Sequence, residues 1–284
     1  MSSPNRLQAL SELLGRIHNK LVPPERQAKT GSFRERELYG FVERPNYAYG
    51  MLRAADVARF LGHKRVTVCE FGVATGRGLR NMIELAEQIE PLTGIGFDIV
   101  GFDTGEGLPQ LHGYKDHPEL WVQGDFAMAN RDELIASLRG KARIEFGDIA
   151  DTIGPFTTAL GTDAPLGFIS IDVDIYTGTV AALRCLEREP ECYLPVVGVY
   201  LDDCTGYFAN EWCGELAAVQ EFNAAHELRK IGIDRSFVTR PKPAPWHSQM
   251  YSLHVLDHAM RQKPMARESM SLEEHAAFIA SATS

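Results

Sequence analysis

Between residues 65 and 256 the chain alternates short runs rich in β-branched and aromatic residues with longer stretches whose apolar positions return every three or four residues. The runs "RVTVCEFG" (65–72), "FDIVGFD" (97–103), "ARIEFGD" (142–148), "PLGFISIDVD" (165–174), "LPVVGVYLDD" (194–203) and "SQMYSLHVL" (248–256) have the character of strands. Between them, "GRGLRNMIELAEQI", "NRDELIASLRG", "TVAALRCLERE" and "ELAAVQEFNAAHEL" carry the helical period. Strand followed by helix, repeated, predicts a doubly wound, mostly parallel α/β sheet with helices on both faces. Upstream, Leu7, Leu10, Leu14, Ile17 and Leu21 fall on one helix face, which "PPER" stops. "YAYGMLRAADVARFLG" is a second helix ending at Gly62. These features predict a helical cap or oligomer segment over 1–63, a main domain over 64–260, and a tail over 261–284 with a short helix in "SLEEHAAFIA". The amphipathic first helix makes a homo-oligomer the expected assembly, with a dimer as one plausible form.

Composition narrows the function classes. A length of 284 residues suits one large domain with terminal additions. The net charge of −9 argues against a general nucleic-acid binder, which needs a basic face. Five cysteines, an odd number without a CxxC pair, read as reduced thiols in a cytoplasmic protein. No apolar run approaches the roughly 18 residues of a membrane span, and "MSSPNRLQAL" is not a secretory signal.

In such a sheet, ligands bind where strands end and helices begin. The first strand end, "CEFGVATGRGL" (69–79), places Gly72, Gly76 and Gly78 in the order G-x-x-x-G-x-G. This is not the G-x-G-x-x-G of dinucleotide enzymes. The nearby acid Glu70 suits a ligand with a cationic centre, such as the ammonium and sulfonium of S-adenosylmethionine, although turns without a ligand also need glycines. Asp103 closes the second strand, either as the acid that grips ribose hydroxyls or as a turn residue. Asp148 follows the third strand, as a contact to adenine or as a helix N-cap. After the fourth strand come Asp172 and Asp174, which point the same way if the extended geometry persists. Asp202 and Asp203 end the next strand, where they can converge with Asp172. Three carboxylates share a pocket only with a proton or a cation, and Mg²⁺ is the economical choice. The alternative is one acid capping a helix and another paired with Arg. The segment 110–128 is the expected lid, with Trp121 and Phe126 to stack on or shield adenine. His112 and His117 are either bases or plain surface residues, and Trp246 and His247 either line the acceptor side or belong to a proline-anchored turn.

"EFGVATGRGL", "GFDTGEGLP", "GDF", "DIADTI", "IDVDIYTGTVAAL" and "LDD…GELAAVQEF" occur in this order, within roughly residues 47–225. Together they resemble class I S-adenosylmethionine-dependent methyltransferases of the macrocin O-methyltransferase type, which methylate sugar hydroxyls on natural products. The resemblance implies a Rossmann-like fold and a small-molecule acceptor with a hydroxyl, with neither nucleic acid nor membrane as partner. It implies that the loop of Glu70, Gly72, Thr75 and Gly76 holds the methionine end of the cofactor and that Asp103 holds its ribose. It further implies that Asp172, Asp202 and Asp203 bind Mg²⁺ and that Asp174 is the general base. The chain departs from the family in Thr75 and Arg77 within the glycine loop, and in "CTGYFANEWCGE", a longer loop on the acceptor side.

Other functions fit the residues less well. An NAD(P)-dependent oxidoreductase shares the alternation of elements but lacks the glycine spacing and has no duty for the acids. A non-catalytic module of the same fold has no reason to keep costly carboxylates. Methylation at nitrogen or carbon usually needs no metal.

Overall fold

The structure is a computed structural model that describes residues 24–263 and 271–274. The helix expected over 7–21 lies outside the described residues, as does most of the one expected in the tail. Three helices open the chain: α1 (Pro24–Ala28), α2 (Phe33–Leu38) and α3 (Pro45–Leu61). A capping box of Ser32 and Glu35 starts α2, and α3 begins on Pro45 and stops at Gly62 in the left-handed conformation. There follow β1 (Arg65–Phe71), α4 (Arg77–Thr93), β2 (Gly96–Asp103), α5 (Arg131–Ser137), β3 (Ala142–Phe146) and α6 (Ile149–Ala159). The second half holds β4 (Leu166–Ile171), α7 (Tyr176–Leu183), β5 (Tyr193–Leu201), α8 (Gly214–Ala225), β6 (Arg229–Ile233), β7 (Met250–Val255) and α9 (Ala259–Gln262).

The seven strands form one sheet in the order β3-β2-β1-β4-β5-β7-β6. Only β7 runs against its neighbours. The chain winds outward from β1 to β3, then returns to lay β4 beside β1. The strand order reverses there, and a crevice opens at the carboxyl ends of those two strands.

One core cluster joins α6, α7 and α8 to one face of the sheet, and a second joins α2, α3 and α4 to the other. Helix α3 is therefore not a cap ahead of the domain. Its Tyr47, Ala48, Met51 and Ala55 are buried in the core. A Cβ on Gly50 would lie 2.3 Å from the ring of Phe168 on β4. Small residues along α3 let its backbone rest directly on the sheet, so the boundary expected after residue 63 cuts through one packed unit.

Within the sheet domain, β6 and α6 stand out among the elements that the sequence pattern did not name. Strand β6, "RKIGI", is short and carries two cations. Helix α6, "IADTIGPFTTA", contains a glycine, a proline and three threonines, all weak helix formers. It is held by the Asp148 cap and by burial of Ile153 and Phe156. All five cysteines are free, and four are buried. Among the described residues no helix is long and apolar enough to cross a membrane.

Phe168 is fully buried between α3 and the sheet. Phe168→Ala is expected to cost about 3–5 kcal/mol, read as a lower urea midpoint at an unchanged slope.

Candidate active site

The loop after β1 is shaped by one close contact. Gly72 has φ +86°, and a Cβ there would lie 1.7 Å from the carbonyl oxygen of Asp172. Only glycine permits this backbone and this approach. The loop is braced from β2: Asp103 Oδ2 accepts from the amides of Val73 and Ala74, both at 2.8 Å, and Oδ1 accepts from Gly105 N at 2.6 Å. Gly72 and Asp103 border a cavity of about 280 Å³.

The other expected members of this loop lie elsewhere. Glu70 is buried beneath it and does not border the cavity. Its Oε1 accepts from Tyr47 Oη at 2.7 Å, and Tyr47 Oη in turn accepts from Ser170 Oγ at 2.9 Å. Oε2 has no partner, and burial pushes this carboxyl up to about 7. Gly76, with φ +74°, packs against Leu134 of α5, while the side chain of Thr75 is exposed to solvent. Glu70 is thus hydrogen-bonded within the core, and Gly76 is packed against α5.

Asp148 borders the cavity and caps α6, its Oδ1 accepting from Ala150 N at 2.8 Å. Both functions suggested for it are thus geometrically open, and the cap is made. Phe126 borders the same cavity, but Trp121 does not. Trp121 meets Phe126 edge to face at 5.6 Å and lines a second cavity of about 150 Å³. The segment 110–128 is fastened in its middle. Fully buried Asp116 accepts from the amides of His112 and Thr177, tying the segment to the first turn of α7. His112 is exposed, whereas His117 is buried against the second cavity, with Nδ1 2.8 Å from Glu119 Oε1. Trp246 and His247 pack on Phe237 and border neither cavity, consistent with the proline-anchored turn.

The acids converge, but not by strand alternation. Strand β4 ends at Ile171, and Asp174 adopts φ +62°. A turn, not extended backbone, brings Asp172 and Asp174 to one cavity. Asp172, Asp174 and Asp203 each place an oxygen within 4.8 Å of the other two. Asp202 borders the cavity but stands outside this group, its Oδ1 accepting from Tyr200 Oη at 2.7 Å. This exchange of Asp174 for Asp202 depends on the turn, which no local sequence pattern marks. Glu215, in the first turn of α8, was also missed. Its Oε2 accepts from Asp203 N at 2.9 Å, and its Oε1 has no partner. An acid at a helix start reads as an ordinary first-turn residue, and only the fold shows it beneath the others.

Among the described residues, no Lys or Arg makes an ion pair with any of these five acids. Burial first, then repulsion by neighbouring acids, pushes Asp172 up to about 8, Asp174 to about 7 and Asp203 to about 6. Glu215 is raised well above its ordinary range for the same reasons. A compact all-oxygen donor set without a cationic partner fits a hard divalent ion.

No family model and no curated protein matches the sequence. Solved structures do match. A calicheamicin methyltransferase is 19% identical, with a TM-score of 0.53 over 89% of this chain and 94% of that one. The O-methyltransferase NovP is 17% identical, with a TM-score of 0.50 over 74% of this chain and 79% of that one. The chain has the Rossmann-like fold of class I S-adenosylmethionine-dependent methyltransferases.

The raised carboxyls set a pH dependence. A carboxyl with a higher pKa folded than unfolded binds protons more tightly when folded, so stability falls as pH rises between the two values. For Asp172 that window runs from 3.8 to about 8. In EDTA, melting temperature is expected to fall between pH 5 and pH 8, and Asp172→Asn is expected to flatten that fall. Mg²⁺ is expected to raise the melting temperature more at pH 8 than at pH 5. Differential scanning fluorimetry across both series checks this, and equal Mg²⁺ effects at the two pH values would count against a cation among these acids.

Proposed function

We propose that this protein is an S-adenosylmethionine-dependent O-methyltransferase, assisted by a divalent cation such as Mg²⁺, that methylates a hydroxyl of a natural-product acceptor. The observation that carries this reading is the group of unpaired carboxylates at the ends of β4 and β5, beside a glycine loop braced by Asp103 at the point of strand reversal. The methyltransferase fold supports the cofactor. A sugar as the acceptor rests on the sequence resemblance alone.

The residues divide the work as follows. Asp103 has spent three lone-pair positions on backbone amides, which leaves room for a ribose hydroxyl. The loop edge of Gly72 and Ala74 offers close backbone approach to the methionine end, and Phe126 and Asp148 border the same cavity for adenine. Asp172 and Asp203 would hold the cation, with Asp202 the further acid on the same cavity. Asp174 borders both cavities and takes the proton of the acceptor hydroxyl on a carboxylate oxygen. When bound, S-adenosylmethionine would supply a methyl on a sulfonium, and a cation held by these acids would make the acceptor hydroxyl more acidic. The apolar walls of Leu108, Phe126, Ile149 and Val173 keep water from the reacting groups. Holding the two reactants in register then supplies much of the acceleration. A cytoplasmic homo-oligomer, from the reduced thiols and the apolar spacing of the sequence over 7–21, completes the reading.

Calorimetry with S-adenosylmethionine should show one site per chain. Once an acceptor is found by release of S-adenosylhomocysteine, Asp174→Asn should lower kcat by about 10²–10⁴ at unchanged cofactor affinity. Asparagine tolerates the left-handed backbone that Asp174 adopts. Full turnover in excess EDTA would remove the cation from the mechanism, and no cofactor binding would remove the function.

A further inference from the structure

We propose that the open edge of strand β3 is an interface between two copies of this chain, paired antiparallel about Ile144, with Arg143 of each copy opposite Glu145 of the other. This pairing does not depend on the methyltransferase reading. Strand β3 is one edge of the seven-stranded sheet, and β6 is the other.

The fold treats its two edges differently. At β6 the side chain of Asn223, on α8, seals the edge: its Nδ2 donates to Ile231 O at 2.8 Å, and its Oδ1 accepts from Ile231 N at 2.7 Å. A side-chain amide thus stands where a further strand would bond. Strand β3 has no such plug. Just past its end, Gly147 N donates to Asp103 O of β2 at 3.0 Å. Alternate residues of a strand turn their backbone groups to the same side, so Arg143 and Glu145 also bond towards β2, and Ala142, Ile144 and Phe146 turn their amides and carbonyls outward. Among the described residues no side chain or loop takes up those outward groups. None of the five residues of β3 is buried, which holds for no other strand of the sheet.

Charge identifies the occupant. Open edges are commonly guarded by a lone charge, a proline or a bulge that deters a second chain. Strand β3, "ARIEF", has no proline, keeps an unbroken register with β2, and carries two charges of opposite sign. Arg143 Nε lies 3.0 Å from Glu145 Oε1 on one face, with the side chains 54% and 38% exposed. A cation and an anion two residues apart are complementary to their own copy when it runs antiparallel. Centred on Ile144, the two strands exchange amide and carbonyl bonds between the two Ile144 residues, and between Ala142 of each copy and Phe146 of the other. In the close pairs between these bonds Arg143 faces the partner's Glu145, and two-fold symmetry makes the contact twice. Centring on Arg143 or on Glu145 instead would oppose like charges and would need backbone groups already given to β2. Backbone direction and charge therefore select the same register. Five paired residues bury little area, which places the dimer among weak, reversible associations.

The test is sedimentation velocity on the full chain at low salt, in a concentration series reaching hundreds of micromolar. The wild-type chain should show a reversible monomer–dimer equilibrium. Arg143→Glu and Glu145→Arg should each raise the dissociation constant at least about ten-fold, because each sets like charges opposite one another at both ends of the seam. Both side chains are exposed, and thermal melts close to that of the wild type check that the variants are folded. Mixed in equal amounts, the two variants should form a heterodimer about as tight as the wild-type dimer, since every opposed pair then has opposite signs. The double variant Arg143→Glu/Glu145→Arg should regain self-association for the same reason. A wild-type chain that stays monomeric overturns the inference. A dimer equally strong in the wild type and both variants does so too, since it places the interface elsewhere, as on residues 7–21. Weakened variants that neither the mixture nor the double variant rescues overturn the pairing about Ile144.

Discussion

Three carboxylate oxygens gathered within 4.8 Å, with no Lys or Arg of the described chain to pair them, repel one another in a partly buried cavity. The surrounding fold has to hold them there against that repulsion. It does so through backbone contacts. The Asp172 carbonyl presses on Gly72, where no Cβ can stand, and the Asp172 amide donates to the Phe71 carbonyl. Asp203 is fixed from below by the hydrogen bond its amide donates to Glu215 Oε2 and from the side by the Asp174 amide, which donates to its Oδ2. None of these contacts neutralises charge. They fix positions and leave the electrostatic demand open, which is why a proton or a hard cation is the natural partner of the site.

The glycine loop is braced in the same way, through backbone groups. Asp103 gathers three amides from two loops, which ties the ends of β1 and β2 together. Beneath that loop, Ser170, Tyr47 and Glu70 form a buried chain of hydrogen bonds that links β4, α3 and β1. Glu70 is thereby part of how α3 is seated on the sheet. Its unpartnered Oε2 and raised pKa follow from burial. An acid after the first strand thus serves the scaffold that presents the cavity, one layer removed from the cavity itself.

The division into two cavities meeting at Asp174 and Asp203 gives the site its asymmetry. One side is framed by strand ends and short turns, which are set by the sheet. The other is framed by Trp121, Phe208 and the loop 204–213, which the sheet does not constrain.

The alternation of apolar runs and helical periods settled the α/β class, the strand ends and the acids on them, because burial on both faces of a parallel sheet leaves a readable pattern. Short β6 and α6 escaped, since their residues have weak local preference and are held by packing alone. The sequence also marked Asp103, Asp148, Asp172, Asp174, Asp202 and Asp203 as cavity residues, and each borders the larger cavity. Which of them meet was decided by tertiary structure. The turn at Asp174 swaps it for Asp202, helix packing draws Glu70 and Gly76 inward, and Trp121 crosses to the second cavity. Local sequence sets which residues stand at a strand end; the direction each side chain takes depends on a backbone angle and on neighbours far away in the chain, which only the folded contacts supply.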